Sequence, residues 1–224
     1  MIVIDNFIKD KDFLKELNDK KGELFNGTYG NKLYHHSQSW WEGYGKEKPK
    51  NIRQRLIEYI VKELNRYPNS IDIDKIKGFE YWTHIHSNKQ TIILNDEEIN
   101  LDNNLEWHTN KDEWLHYNTD KLKYPIFSSV FWPIETEVEG GYLEISSVKQ
   151  MDRQIKTRRN MCRECKKEIH KFEVERIKSV YNRLVIFDSS YWHKVDEVKN
   201  GIRWTFVLDG WDKKVSRRSK LEKE

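Results

Sequence analysis

The sequence predicts a mainly β domain with flanking helices, in which a double-sheet β core follows a helical N-terminal third. Two observations point there. From Lys77 onward, segments of strand character recur at 78–86, 104–109, 125–134, 140–146, 181–188, 192–198 and 202–209. Turn residues separate them: Pro125, Pro133, Gly140-Gly141, Asp188 and Asn200-Gly201. Ahead of them, only two segments repeat apolar residues at the helical period. Many short strands after two helices fit two packed sheets with helices outside.

The elements follow in order. Ile2 to Ile4 reads as a short strand. Asp10 caps a helix that carries Phe13, Leu14 and Leu17 on one side. Residues 22–49, rich in Gly, Asn and aromatics, read as loop. The clearest helix runs from Asn51 to Tyr67, where Ile52, Leu56, Tyr59, Ile60 and Leu64 keep its period and Pro68 stops it. Val185-Ile186-Phe187 and Trp204-Thr205-Phe206-Val207 read as strands buried on both faces. Residues 149–178 interrupt the strands with eleven lysines and arginines against five acids, and read as a helical or mobile insertion. The whole chain, 1–224, is expected to form one domain. Residues 1–76 would be helical support, 77–211 the β core with its basic insertion, and 212–224 a charged, frayed tail.

Composition bounds the function. Nine tryptophans and 13% aromatic residues argue for a packed domain despite a mean hydropathy of −0.92. A formal charge of +3 gives no general affinity for nucleic acid, so such contact is expected only through 149–178, as a weak feature. The two cysteines, Cys162 and Cys165, are too close in sequence for a disulfide framework and point to a reducing, cytoplasmic setting. With His170 they form C-x₂-C-x₄-H, one ligand short of a closed zinc site, so an unliganded pair is the expectation. The N-terminus has no signal-peptide pattern and no apolar run spans a bilayer, so no membrane role is expected.

The chemistry concentrates in Tyr191–Phe206, YWHKVDEVKNGIRWTF. His193 opens it, Arg203 follows ten positions later, and Thr205 shares Arg203's strand face. A neutral imidazole suits a redox metal, and a guanidinium with a neighbouring hydroxyl suits a carboxylate. An arginine aimed into a β core is costly without such a partner; an internal salt bridge is the competing account. Upstream, His108 in LEWHTNKDE offers a second imidazole. His84 and His86, two apart on a strand, read first as ordinary strand histidines, with lining of the same cleft or metal binding of their own as alternatives.

Four stretches, LEWHTNKDE, PIFSSVFWP, EGGYLEI and NRLVIFDSSYWHKVDEVKNGIRWTF, resemble the iron(II)/2-oxoglutarate-dependent oxygenases, in particular the prolyl-hydroxylase-like branch and its phage relatives. The resemblance covers about Gly78 to Trp211. It implies a double-stranded β-helix, or jelly roll, in which His108 and His193 bind Fe(II) and Arg203 pairs with the distal carboxylate of 2-oxoglutarate, assisted by Thr205. It further implies O₂ as oxidant, ascorbate as a supporting reductant, and hydroxylation of a C–H bond with release of succinate. The substrate stays open among small molecule, amino acid, nucleotide and protein side chain.

One position departs from the family pattern. The motif H-x-[DE] reads His108-Thr109-Asn110 here. Asn110 then serves as a neutral third ligand or leaves its place to water. Alternatively, Asp112 supplies the carboxylate, which needs a turn after His108 because an extended strand sets the two about 13 Å apart. A third account is a lapsed metal site in a jelly-roll binding module, and a fourth a halogenase-like variant with a halide in the vacant place. On the first account, which is preferred, Asn110→Asp restores the triad and tightens Fe(II) binding.

Overall fold

The computed structural model describes residues 1–26, 39–69, 71–150 and 172–216. In chain order the elements are β1 (Ile2–Ile4), α1 (Lys11–Asp19), α2 (Lys21–Leu24), β2 (Ser39–Trp41), α3 (Ile52–Leu64), β3 (Gly78–Ser87), β4 (Thr91–Leu94) and β5 (Glu97–Asn100). They continue with β6 (Leu105–His108), α4 (Glu113–Thr119), β7 (Phe127–Phe131), β8 (Val138–Gly140), β9 (Leu143–Lys149), β10 (Val174–Ile177), β11 (Leu184–Phe187), β12 (Tyr191–Val195) and β13 (Val198–Trp211). The strands make a major antiparallel sheet in the order β1-β11-β7-β13-β3-β2, with β8 paired to the start of β13. A minor antiparallel sheet runs β10-β9-β12-β6. This is the jelly-roll sandwich that the resemblance implied.

Period-two alternation gives the major sheet two different faces. Phe79, Tyr81 and Ile85 of β3, Phe127 and Phe131 of β7, Leu184 and Ile186 of β11, and Trp204, Phe206 and Leu208 of β13 join one core with the helices. From the helices come Phe13 and Leu17 of α1 and Leu56, Ile57, Ile60, Val61 and Leu64 of α3, all at most 1% exposed. Both helices start at a capping side chain: Asp10 accepts from the Phe13 amide at 3.0 Å and Asn51 from the Gln54 amide at 3.0 Å. On the other face, Val130, Val185 and Phe187 pack against Leu143, Ile145 and Ile177 of the minor sheet. The space between the sheets is therefore apolar toward β11 and, as shown below, polar toward β3 and β13.

Several elements differ from the sequence expectation. β1 is the short strand expected at Ile2–Ile4, but β2 lies in the stretch read as loop; both belong to the major sheet, paired with β11 and β3, so the N-terminal third contributes sheet as well as helical cover. The hairpin β4–β5 turns on Asn95-Asp96, both at positive φ (+52° and +62°), a turn geometry that Asn and Asp tolerate. α4 was not expected; it starts where Asp112 caps the Leu115 amide. The basic segment 149–178 ends in β10, paired with β9. Cys162, Cys165 and His170 lie outside the described residues. No helix among the described residues is long and apolar enough to cross a membrane.

Phe206, fully buried and stacked on Tyr81 with ring centroids 6.1 Å apart, sits where the helices meet the sheet centre. Phe206→Ala is expected to cost about 3–5 kcal/mol in urea unfolding. A loss below about 1 kcal/mol, the range of a surface substitution, would contradict the helix-on-sheet packing.

Candidate metal and carboxylate site

Two strands of the minor sheet bring His108 and His193 together. β6 and β12 are antiparallel neighbours, and the two histidines are direct register partners. Side chains of opposed residues share a face, so the rings lie side by side with centroids 4.3 Å apart. That face looks into the sandwich: His193 also meets Phe187 of β11 edge-on at 4.9 Å. The opposite face carries Trp107 and Trp192, which form a separate cluster outside.

Backbone carbonyls set the tautomer of both rings. His108 Nδ1 lies 2.8 Å from the Glu106 carbonyl and His193 Nδ1 lies 3.0 Å from the Tyr191 carbonyl. A carbonyl only accepts, so each Nδ1 carries the proton and donates. In the neutral ring Nε2 then keeps its lone pair, the state of a metal-ligating imidazole whose other nitrogen is held from behind. Burial pushes His108 down to about 4 and His193 well below the ordinary histidine range, and the nearby Lys111 cation adds to both effects. Both rings are thus neutral near pH 7.

Asn110 and Asp112 have distinct fates. Asn110 Nδ2 donates to Ser128 Oγ at 3.0 Å and to Asp209 Oδ1 at 3.1 Å. Ser128 Oγ also lies 2.6 Å from Asp209 Oδ1 and 2.8 Å from Ser189 Oγ, closing a buried network. Asp112 spends both carboxylate oxygens on backbone amides, Leu115 at 2.9 Å and Ser216 at 2.8 Å. The alternative of Asp112 as third ligand therefore conflicts with its use as a cap and as the dock for the C-terminal segment. Among the described residues no three of His, Cys, Asp and Glu come together as a metal cluster. Lys111, its side chain 3% exposed, pairs with Glu113 at 3.0 Å and adds a positive charge beside the two histidines.

The major sheet supplies the second half of the site. β13 pairs with β3 so that Arg203 stands opposite His86 and Thr205 opposite His84. All four project into the sandwich. Arg203 Nη1 donates to Thr205 Oγ1 at 2.6 Å and lies 3.5 Å from His86 Nδ1. His84 Nε2 accepts from Trp82 Nε1 at 2.8 Å. Burial lowers His84 to about 3 and His86 well below the ordinary range, with the Arg203 charge contributing to each. These two histidines line the space beside Arg203, a role the sequence left open.

Arg203 is the unusual group. It is 1% exposed, and its Nε and Nη2 have no hydrogen-bond partner. It forms no ion pair among the described residues; its guanidinium lies 5.3 Å from the Trp132 ring centroid. Desolvation lowers it to about 9, which leaves it charged near neutral pH. Nε and Nη2 form the edge of the fork that meets both oxygens of a carboxylate. Gly141, at φ +61°, clears the way for the side chain: a Cβ there would stand 3.1 Å from Arg203 Cδ and 2.8 Å from Val198. The residues present fit the implied groups, with two imidazole Nε2 atoms for a metal and one unpaired guanidinium edge for an acid.

No family profile matches the chain, nor does any curated protein. Solved structures do. A prolyl-4-hydroxylase from Pseudomonas putida superposes with a TM-score of 0.54 at 11% identity, over 95% of this chain and 92% of that one. The non-heme α-ketoglutarate-dependent carbocyclase SnoK of nogalamycin biosynthesis gives 0.60 at 8% identity, over 100% and 85%. A prolyl hydroxylase from Trichoplax adhaerens, in complex with a hypoxia-inducible factor peptide fragment, gives 0.52 at 12% identity, over 97% and 86%. The chain has the fold that these proteins share.

Two predictions follow from the electrostatics. The unfolded chain protonates its histidines near 6.5, whereas His108 resists until about 4, so the unfolded state binds more protons between those values. Stability of the metal-free protein should fall as pH drops from about 6.5 toward 4, read from thermal melts; constant stability there would mean that the rings titrate freely. The second revises the expectation for Asn110→Asp. Burial holds Asp209 well above the usual carboxylate range, and a second carboxylate in place of the Asn110 donor would force the two to share a proton. Asn110→Asp alone should not tighten divalent-metal binding. Combined with Asp209→Asn, which restores a donor across the same gap, it should tighten binding by about tenfold or more. Equal gains in the single and double variants, measured by calorimetry, would show that Asp209 imposes no such constraint.

Proposed function

We propose that this protein, which has the jelly-roll fold of the prolyl-hydroxylase-like iron(II)/2-oxoglutarate oxygenases, is a 2-oxoglutarate-dependent dioxygenase that hydroxylates a C–H bond of its substrate and releases succinate. The observation that carries the reading is Arg203, a buried cation with one guanidinium edge unpaired, on the same inward face as Thr205 and across the sandwich from the His108–His193 pair. A buried unpaired cation is strongly unfavourable, and the carboxylate of an acid cosubstrate removes the penalty.

Each residue has a task on this reading. His108 and His193 hold the iron through Nε2, their rings fixed by the Glu106 and Tyr191 carbonyls. The Asn110 amide, fixed by Ser128 and Asp209, or a water beside it, completes the protein's side of the metal site. Arg203 takes the distal carboxylate of 2-oxoglutarate on its Nε–Nη2 edge, and the Thr205 hydroxyl adds a hydrogen bond. Lys111 and Arg203 give the pocket a positive potential suited to a dianion. His84 and His86 stay neutral and so do not compete with Arg203 for its counter-ion. When bound, iron and 2-oxoglutarate supply the activation of O₂, with ascorbate as a supporting reductant. The substrate class remains that of the sequence reading, small molecule, amino acid, nucleotide or protein side chain, with 149–178 as a weak nucleic-acid contact. We place the protein, as one domain over 1–224, in the reducing cytoplasm on the strength of its cysteine usage.

A second reading keeps the fold and drops the chemistry: a binding module with a lapsed metal site, favoured by the amide of Asn110 where the family pattern has a carboxylate. A halogenase-like outcome rests on the same residue. Succinate production from 2-oxoglutarate with Fe(II), O₂ and ascorbate supports the oxygenase; its absence in protein shown to bind both iron and 2-oxoglutarate supports the binding module. Calorimetry with a redox-inert divalent metal tests the assignments. His193→Ala should abolish metal-dependent 2-oxoglutarate binding. Arg203→Lys should lose nearly as much affinity as Arg203→Ala, because lysine offers no bidentate edge. Wild-type affinity in either His193→Ala or Arg203→Lys would remove that residue from its role.

A further inference from the structure

Arg203 is not the only orphaned donor in its neighbourhood. Trp132 Nε1 and Ser179 Oγ are also buried without a hydrogen-bond partner. All three residues line one small pocket, partly open to solvent, together with Thr136, Tyr181 and Trp204. Trp132 lies just beyond the end of β7 and Ser179 precedes β11, so the cavity gathers these groups from three separate segments. Each buried polar group left unpaired carries the full cost of its lost hydration. Finding them clustered at one cavity, when most buried polar groups elsewhere are satisfied, calls for a common partner.

The chemistry of the orphans defines that partner. Arg203 Nε and Nη2 and Trp132 Nε1 can only donate, and a serine hydroxyl can donate as well. A ligand that satisfies all of them must be an acceptor with several lone pairs and must neutralise a buried cation. A carboxylate has two oxygens and about four lone-pair sites; a neutral amide or alcohol has fewer and leaves the charge uncompensated. The Trp132 ring already lies against the guanidinium at 5.3 Å, so its N–H comes to the site on a rigid support.

We propose that Trp132 and Ser179 are specificity-determining residues that join Arg203 in binding the distal carboxylate of the acid cosubstrate. The inference rests on the oxygenase reading above and adds two donors to the arginine and threonine of the family pattern. With them, the pocket selects a dicarboxylic 2-oxo acid over one that lacks the second carboxylate, because the latter leaves the donors unpaired.

Trp132→Phe keeps the ring beneath the guanidinium and deletes the N–H; Ser179→Ala deletes the hydroxyl. Each is compared with the wild-type protein by calorimetry in the presence of a redox-inert divalent metal, with 2-oxoglutarate and with 2-oxobutanoate, which has no distal carboxylate. Thermal melts confirm that each variant is folded, and either folded variant suffices if the other is not. Loss of about tenfold in 2-oxoglutarate affinity, with 2-oxobutanoate and metal affinity unchanged, is the expected result. Wild-type affinity for 2-oxoglutarate in the folded variants overturns the proposal and leaves the oxygenase reading standing, as does an equal loss for both acids. If wild-type protein with metal bound takes up no 2-oxoglutarate, the oxygenase reading falls and this proposal with it.

Discussion

The alternation of β13 is the constraint on which the rest of the molecule depends. This strand lies between β7 and β3 at the centre of the major sheet, with ten successive register pairs to β3. Trp204, Phe206 and Leu208 face the helices and close the main core. Arg203, Thr205 and Asp209 face the other way, into the sandwich. A slip of one residue would put the guanidinium in the helix core and the aromatic rings between the sheets, so one register secures both the packing and the candidate site. The helices α1 and α3, capped and fully packed, hold that register from behind.

The site joins two sheets with different duties. The minor sheet contributes a pair of neutral imidazoles, each donating Nδ1–H to the carbonyl two residues back in its strand. The major sheet contributes a buried cation whose neighbours, His84 and His86, are kept neutral by burial. Lys111 adds a second cation near the imidazoles. No carboxylate joins the histidines in a cluster among the described residues, and Lys111 is itself paired with Glu113. The buried carboxylate of this region, Asp209, instead accepts from Asn110 and Ser128. An amide at 110 is intelligible on those terms: it donates to Asp209, which a carboxylate there cannot do without an extra proton.

Much of this was legible in the chain. Capping residues and helical period located α1 and α3, because caps and apolar stripes are local. Strand alternation placed Arg203 and Thr205 on one face, because the period of two is a property of the backbone. β4 and β5 were missed because each is only four residues long and β5 is mostly polar, with an Asn-Asp turn in place of the Asn-Gly signal. β1 and β2 join the sheet only through partners more than thirty residues away in sequence, so nothing near them marks their place. Trp132 and Ser179 carry no sequence signal at all: a tryptophan in a β protein and a serine in a loop are ordinary until their polar atoms prove unpaired beside one cavity.

By itself the sequence determined the class of fold, the helices α1 and α3, and the residue types of the candidate site. Those properties follow from hydrophobic period, turn residues and the donor inventory of single side chains. The tertiary structure alone decided that His108 stands opposite His193, that Asp112 docks the Ser216 amide, that Asn110 answers to Asp209, and that one edge of Arg203 has no partner. Each of these depends on the register between strands or segments distant in the chain. Register is set by how two sheets and a helical layer pack together, which no local window of sequence contains.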